Sequence, residues 1–317
     1  MIIEIDNTKV KLLGDPHLGK SFKIGVPLHR LGERERMVRK QFQEELNEVE
    51  NASYHVCMGD LFDRYIVAPE IVLFAYQCYV TAASKNLNTT YIILRGNHDA
   101  SRDRERASSF DIFAALTAPI KNIKVVKDTP LIMNDLGYFP WHPFMPAREM
   151  VESIDQPLKA AFGHWDKDDF GQSNPNLIPT DALAKITEIA ISGHVHIPEE
   201  FKRDGVKVVM TGSMQPYNFM EDRCGDLYVT LTLDEIKDRD FSNKCVRIRL
   251  RSGEELPTDL NCLQLVAKRF TEDEKPSIEV GFGEFDIRKM FEDACSEEGV
   301  KDEIMKEVWS KFEEMKR

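Results

Sequence analysis

Apolar residues follow two different spacings along the first two-thirds of the chain. Short runs rich in β-branched residues predict buried strands, and longer stretches with apolar residues three or four positions apart predict helices. One such helix covers about residues 33–50, and a second runs from Pro69 to about Ser84. Strands are expected at Val10–Leu13, Tyr54–Met58, Tyr91–Leu94, Ile123–Lys127, Leu136–Phe139, Ala160–Phe162, Glu188–Ile191 and Val206–Met210.

This alternation of strands and helices predicts an α/β fold with a partly mixed sheet. Two later segments, Asp226–Leu233 and Cys245–Leu250, alternate apolar and polar residues in the manner of antiparallel strands. We therefore expect one main domain over residues 1–256.

The pattern weakens after the main domain. Residues 257–283 contain scattered prolines and glycines and are expected to form a connector. Residues 284–317 carry two apolar stripes at helical spacing, separated by Gly299, and predict a helix pair. Both stripes either pack on the main domain or form a hairpin that binds a partner protein.

Charge is spread unevenly over the 317 residues, which have a formal net charge of −12. Fifteen acidic and eight basic residues lie within 271–317, whereas residues 20–40 hold seven basic residues and only two acidic ones. The basic segment could contact a phosphate backbone, or it could be a solvated helix face with internal ion pairs.

Other features limit the class of protein. No apolar stretch approaches the roughly 20 residues that cross a bilayer, and the start of the chain is not typical of a signal peptide. We therefore expect a cytoplasmic protein that does not contact a membrane. The six cysteines are widely scattered and predict free thiols, with Cys57 and Cys78 in the core.

Five short motifs each follow a predicted strand: Gly-Asp-Pro-His, Gly-Asp-Leu-Phe-Asp-Arg, Gly-Asn-His-Asp, Gly-His-Trp and Gly-His-Val-His. Loops at the carboxyl ends of strands can converge while the strands stay rigid. The motifs therefore predict one site. Its candidate metal ligands are Asp15, His17, Asp60, Asn97, His164, His194 and His196.

Two neighbouring divalent ions need a bridging carboxylate and terminal ligands on either side. Asp60 is the natural bridge. Asp15, His17 and one histidine of the last motif would complete one position, and Asn97, His164 and the other histidine would complete the second. Carboxylate, amide and imidazole ligands without a thiolate suit Mn²⁺, Fe²⁺ or Zn²⁺ and argue against a structural zinc site.

Hydrolysis of a phosphodiester also needs an acid that protonates the departing alkoxide. His98 is the best candidate, and Asp63 or Asp99 could hold its tautomer. Arg64 could bind phosphate or form a surface ion pair. Lys20 and Arg30, from the basic segment, are further candidate substrate contacts.

The order of these motifs resembles that of the calcineurin-like metallophosphoesterase superfamily. Within it, the segments starting at Asp15, Gly59, Gly96 and Ser192 are similar to those of the SbcD family of DNA nuclease subunits, especially in the Leu18-Gly19 ending of the first. Gly-His-Trp and the later Thr-Gly-Ser are similar to compact bacteriophage members. The resemblance covers about residues 8–255 and, loosely, the C-terminal helix pair.

The resemblance implies a sandwich of two mixed sheets flanked by helices, with a small helical appendage. It implies a manganese-dependent nuclease of repair and recombination, with 3′→5′ double-strand exonuclease and single-strand endonuclease activities; Mg²⁺, Fe²⁺ and Zn²⁺ are alternative ions. Such proteins dimerise and work with a coiled-coil ATPase of the SbcC type, which here would bind residues 284–317.

The resemblance also assigns the residues. One metal would be held by Asp15, His17, Asp60 and His196, and the other by Asp60, Asn97, His164 and His194. His98 would be the catalytic histidine, paired with Asp63. Some relatives have histidine where this chain has Asp63, and the capping domain of larger members is here reduced to the connector.

Two other functions fit the same motifs. A phosphomonoesterase or a cyclic-nucleotide phosphodiesterase would have an identical metal site, so only the surroundings discriminate; the basic segment and the amphipathic C-terminus favour the nuclease. A scaffold with an inactive site, which only tethers an ATPase to DNA, would not need His98 and the complete ligand set.

Overall fold

The computed structural model describes residues 1–103, 105–169, 173–237, 239–269 and 309. Its α-helices are α1 (Glu33–Asn47), α2 (Pro69–Lys85), α3 (Ser109–Thr117), α4 (Ala147–Glu152) and α5 (Thr180–Leu183). Its strands are β1 (Ile2–Ile5), β2 (Thr8–Leu13), β3 (Tyr54–Cys57), β4 (Thr90–Leu94), β5 (Ile123–Val126), β6 (Leu131–Met133), β7 (Leu136–Phe139), β8 (Ala160–Gly163), β9 (Ile189–Ser192), β10 (Glu199–Arg203), β11 (Val206–Met210), β12 (Tyr228–Thr232), β13 (Phe241–Leu250) and β14 (Cys262–Arg269).

Two mixed sheets form the body of the fold. The first has the order β1-β2-β3-β4-β5, in which only β1 is antiparallel to its neighbour. The second has the order β10-β11-β9-β8-β7-β6, with a parallel centre and an antiparallel strand at each edge. The expected α/β class and the two mixed sheets are confirmed.

Alternating side chains place the two sheets face to face. Leu12, Val56 and Ile92 point into a core that also contains Tyr138 and Phe162 from the second sheet. Because side chains alternate along a strand, the adjacent residues of β2, β3 and β4 point to the opposite face. There they pack against α1, α2 and α3, while α4 and α5 cover the outer face of the second sheet.

α1 and α2 start where the sequence predicts, and α3 was not predicted. Pro69 is the first residue of α2, where its missing N–H costs no hydrogen bond. Ser108 caps α3, since its hydroxyl accepts a hydrogen bond from the Asp111 amide and the Asp111 carboxylate accepts one from the Ser108 amide. Cys57 and Cys78 are buried free thiols, as expected.

A third sheet, β12-β13-β14, was not predicted as such. The alternation in its first two strands suggested antiparallel pairing, but β12 and β13 are parallel, with Tyr228 opposite Cys245. A 3₁₀ turn at Leu233–Ile236 lies in the connection between them. The expected connector is also partly wrong, because β14 occupies Cys262–Arg269.

The chain divides into two compact units, of which the first comprises Met1–Leu250 and Glu254–Lys268. The second comprises Arg251–Gly253 and Arg269–Arg317, and little of it belongs to the described residues. The helix pair predicted for residues 284–317 lies outside them, apart from Trp309. Among the described residues, no helix is both long and apolar enough to span a membrane.

Candidate metal centre

The candidate ligands lie where strands of the two main sheets end. Three of them, His17, Asp60 and His194, have positive φ angles of 45°, 48° and 73°. This left-handed conformation is strained for residues with a side chain and is most often retained at functional sites. The turns after β2, β3 and β9 therefore direct their side chains towards one point, at a cost that the surrounding packing offsets.

One cluster forms around His17 and His196. Their Nε2 atoms are 2.9 Å apart, and Asp15 Oδ2 lies 3.7 Å from the Nε2 of His196. Asp60 Oδ2 lies 3.7 Å from the Nε2 of His17. These four side chains are the ones that the family resemblance assigns to the first metal position.

A second cluster forms around Asn97. Its Oδ1 is 2.9 Å from the Nε2 of His164 and 2.9 Å from the Nδ1 of His194. Asp60 Oδ2 is 3.5 Å from the Nε2 of His164. Asp60 therefore belongs to both clusters and stands where a bridging carboxylate is expected.

The protonation pattern suits a cation in the second cluster. Nδ1 of His164 donates to the carbonyl oxygen of Met58, 2.9 Å away, and Nε2 of His194 donates to Asp166. In neutral rings, the form that binds metal, the remaining ring nitrogens are acceptors, and both point at the Asn97 oxygen. Converging acceptors repel one another unless a cation lies among them, so the donor set fits a metal ion.

The first cluster has its own unsatisfied acceptor. Oδ1 of Asp15 is buried and has no hydrogen-bond partner among the described residues. Burial and the nearby charge of Asp60 raise the pKa of Asp15 well above its ordinary value. Burial also raises the pKa of Asp60, but the neighbouring rings of His164 and His17 outweigh this and lower it. A divalent ion would offset the repulsion between these two carboxylates.

Two glycines allow the loops to approach this closely. A Cβ at Gly59 would lie 2.2 Å from the Nδ1 of His164, and one at Gly96 would lie 2.1 Å from Oδ1 of Asp60. Neither position has room for a side chain. Each of these two motifs therefore requires glycine before the ligand, because a larger residue would clash.

Two carboxylates that the sequence did not predict contact His194 and His196, the two partly exposed histidines of the centre. Glu221 Oε1 accepts a hydrogen bond from Nδ1 of His196 at 3.0 Å, and Asp166 accepts one from Nε2 of His194. Such partners fix the tautomer and ring orientation of metal-binding histidines. Asp166 directly follows Gly-His-Trp and could have been suspected, whereas nothing in the sequence marks Glu221.

These contacts appear in the pKa values of the pairs. Burial raises the pKa of Glu221 and of Asp166, but the hydrogen bonds from His196 and His194 outweigh it and lower both. Burial lowers the pKa of His194, and the bond to Asp166 more than reverses this effect. Both carboxylates are therefore held ionised beside the ligand rings.

His98 lies exposed at the edge of the two clusters. Its Nδ1 donates to the main-chain oxygen of Asp63 at 2.7 Å, and its amide donates to Asp60 Oδ1 at 2.8 Å. The expectation that the carboxylate of Asp63 or Asp99 holds this ring is therefore wrong. Asp99 instead accepts hydrogen bonds from the amides of Leu61, Phe62 and Gly96, and so ties two motif loops together.

The Asp63 carboxylate faces the mouth of the site. It lies 3.1 Å from Lys20 Nζ and 3.5 Å from Arg64 Nε, so two predicted substrate contacts lie beside the clusters. Arg30 does not. Its guanidinium donates to Glu33, to the Ser242 carbonyl and to Asn261, because it connects the start of α1 to the third sheet.

A sandwich of two mixed sheets with two histidine clusters sharing one aspartate defines a phosphoesterase architecture with a possible two-metal site. Comparison with known families agrees. Residues 8–198 match the calcineurin-like phosphoesterase family, and the chain belongs to this family. Membership implies a metal-dependent phosphoester hydrolase.

None of the curated proteins matches the chain. Among solved structures, phosphopantetheinyl hydrolase PptH from Mycobacterium tuberculosis is 14% identical, with a TM-score of 0.40, over 66% of this chain and 93% of its own. The nuclease MPE from Pseudomonas putida is 13% identical, with a TM-score of 0.33, over 69% of this chain and 93% of its own.

Proposed function

We propose that this protein is the nuclease subunit of an SbcD-type complex, acting on DNA with Mn²⁺ in repair, recombination or replication. Its activities would be 3′→5′ exonuclease on double strands and endonuclease on single strands. Family membership supports phosphoester hydrolysis with metal ions. The choice of DNA rests on the residues around the metal centre and on the motif resemblance.

The observation that carries this choice is the pair of basic side chains at the mouth of the site. Lys20 and Arg64 both contact the Asp63 carboxylate, and Asp63 also provides the carbonyl that holds His98. Arg64 is 74% exposed and can turn towards a substrate. Cations beside an exposed histidine suit a phosphodiester whose chain continues beyond the reacting phosphate.

His98 is the residue that we assign to proton transfer. The Asp63 carbonyl can accept the Nδ1 proton of both the neutral and the charged ring, so Nε2 remains the atom that gains and loses a proton. A protonated Nε2 would neutralise the departing alkoxide. Lys20 and Arg64 would hold the non-bridging oxygens and orient the phosphate towards this nitrogen.

Asp15, His17, Asp60 and His196 would hold one ion, and Asp60, Asn97, His164 and His194 the other. When bound, the ions supply positive charge to the phosphate and make water more acidic. Glu221 keeps the ring of His196, and Asp166 keeps the ring of His194, in the tautomer that binds metal. Mn²⁺ is the ion that we propose, and these ligands also suit Fe²⁺ and Zn²⁺.

The test is degradation of end-labelled linear duplex DNA by the full chain with Mn²⁺, alone and with an SbcC-type ATPase and ATP. We expect Mn²⁺-dependent shortening that the ATPase increases. Parallel assays with p-nitrophenyl phosphate and with cyclic nucleotides examine the two alternative activities. Intact DNA together with rapid turnover of either small substrate would overturn the nuclease assignment.

We further propose that residues 284–317 bind the coiled coil of that ATPase and that the protein forms a homodimer. The two apolar stripes of this segment support the first proposal. Deleting residues 284–317 should abolish co-purification with the ATPase while leaving Mn²⁺ binding intact. Retained co-purification would place the partner surface elsewhere, and light scattering of the full chain tests the dimer.

A further inference from the structure

A cleft of about 870 Å³ adjoins the mouth of the metal centre. Its lining includes Lys20 and Arg64, the two cations that contact Asp63. The other lining residues come from segments 19–24, 32–39 and 66–71. Its volume lies within the range of pockets that bind organic ligands. Anything that continues from a phosphate at the metal centre can therefore enter it.

Two further cations line the cleft away from the metal centre. They are Lys23, which is exposed, and Arg39, which is partly buried. Within the ranges that the structure describes, neither has an ion-pair partner. Of the acidic residues in the lining, Glu35 accepts a hydrogen bond from the amide of Phe22 and Glu70 is exposed. The cleft is thus locally basic in a protein with a net charge of −12.

Apolar side chains lie between these cations. Val67 and Ile71, which are partly buried, line the cleft together with Ile24 and Ile66, which have 81% and 52% of their surface exposed. A ligand that contacts both these β-branched residues and the neighbouring cations would offer anionic and flat apolar groups together. Free phosphate would use only the cations. A DNA duplex shows phosphates on its outside and keeps its bases stacked within.

We propose that this cleft binds a single strand of nucleic acid that leads into the metal centre. The proposal rests on the proposed nuclease function and specifies its substrate. Phosphates would contact Lys23 and Arg39, and unpaired bases would lie against Ile66, Val67 and Ile71. Single-strand grooves combine cations with aromatic platforms for the bases, and here β-branched side chains would take that place. Lys20 and Arg64 would then receive the phosphate next to the scissile bond.

The experiment measures binding of a fluorescein-labelled oligothymidylate to the full chain by anisotropy, in EDTA and at several salt concentrations. The variant is Lys23→Ala combined with Arg39→Ala. Arg36→Ala is the matched control, because Arg36 is an exposed arginine of the same helix outside the cleft. Each lost phosphate contact lowers the slope of log K against log salt by about 0.7 for a single strand.

We expect the double variant to bind the oligonucleotide about tenfold more weakly and to lose about 1.4 of that slope, equal to two contacts. Arg36→Ala should keep the wild-type affinity and slope. Blunt duplex of the same sequence should lose less affinity than the single strand. Replacing Ile66 by Ser, at an exposed position, should weaken single-strand binding without changing the slope.

An unchanged affinity and slope in the double variant would overturn the proposal, as would equal losses for single strand and duplex. These outcomes differ from failure of the nuclease function. If the wild type leaves DNA intact with Mn²⁺ and its partner, the nuclease assignment fails. If it degrades DNA while the double variant binds single strands like the wild type, only the cleft assignment fails.

Discussion

The four histidines of the metal centre form two pairs that the protein holds in different ways. His17 and His164 are buried, with 1% and 0% of their surface exposed. His194 and His196 have side chains that are 25% and 22% exposed. The inner pair is fixed by the packed interior, and His164 by a main-chain oxygen. The outer pair is fixed by the ionised carboxylates of Asp166 and Glu221.

This difference shows which histidines of the centre also contribute to the stability of the fold. The inner rings fill space between the ends of strands, so the chain cannot lose them without leaving a cavity. The outer rings border solvent, where packing is weaker, and a charged partner must hold them instead. We therefore expect ligand exchange and substrate entry on the solvent-exposed side of the centre.

The largest expected effect comes from removing one histidine of each pair at the second cluster. His164→Ala should abolish metal binding there and also lower the free energy of unfolding of the metal-free protein by about 2–4 kcal/mol, because a cavity and an unpaired Met58 oxygen remain. His194→Ala should abolish the same binding at a cost below about 1 kcal/mol. Calorimetric Mn²⁺ titration and urea unfolding in EDTA measure both quantities, and equal unfolding losses would contradict the division into two pairs.

His98→Ala separates chemistry from metal binding. We expect turnover to fall by about 10²–10⁴-fold, the usual contribution of a general acid, while the Mn²⁺ affinity stays within experimental error. His98 also lies within ligand distance of His17 and Asp60. Loss of one bound Mn²⁺ in this variant would therefore make His98 a ligand and remove its assignment as an acid.

A matched pair of isosteric changes tests the carboxylates behind the outer rings. Glu221→Gln and Asp166→Asn remove a charge and keep the volume. Each should weaken Mn²⁺ binding about 10–100-fold, the first at the cluster of His17 and the second at the cluster of His164. A two-site titration resolves which affinity changes. Unchanged affinities in both variants would mean that packing alone holds the outer rings.

The sequence predicted which candidate ligands converge better than it predicted the residues that support them. Each motif follows a run of apolar residues that ends a strand, and in parallel strands such ends meet at one edge. This local pattern was enough to group Asp15, His17 and Asp60 around one position. The alternation of strands and helices also predicted the α/β class, whereas the sandwich of two mixed sheets was implied by the family resemblance.

Contacts between distant loops could not be predicted in this way. Glu221 comes from an irregular loop 25 positions after His196, and no spacing rule links the two. The Asp63 side chain was expected to hold His98, but its main-chain oxygen does so. Arg30 belongs to a basic segment, yet its partners Ser242 and Asn261 lie in the third sheet region, more than 200 positions away.

The smallest expected effect comes from a variant that should lose stability but keep its Mn²⁺ affinity. Ser108 is buried and caps α3, and its side-chain hydrogen bonds are to Asp111, not to any candidate ligand. Ser108→Ala should lower the free energy of unfolding by about 1 kcal/mol, and Ser108→Thr, which keeps the hydroxyl, should lower it less. Urea unfolding in EDTA measures both, and Mn²⁺ affinity should stay unchanged. A weaker Mn²⁺ affinity in Ser108→Ala would mean that any loss of stability disturbs the metal centre. The loss of both Mn²⁺ binding and stability expected for His164→Ala would then no longer show that the inner histidines stabilise the fold.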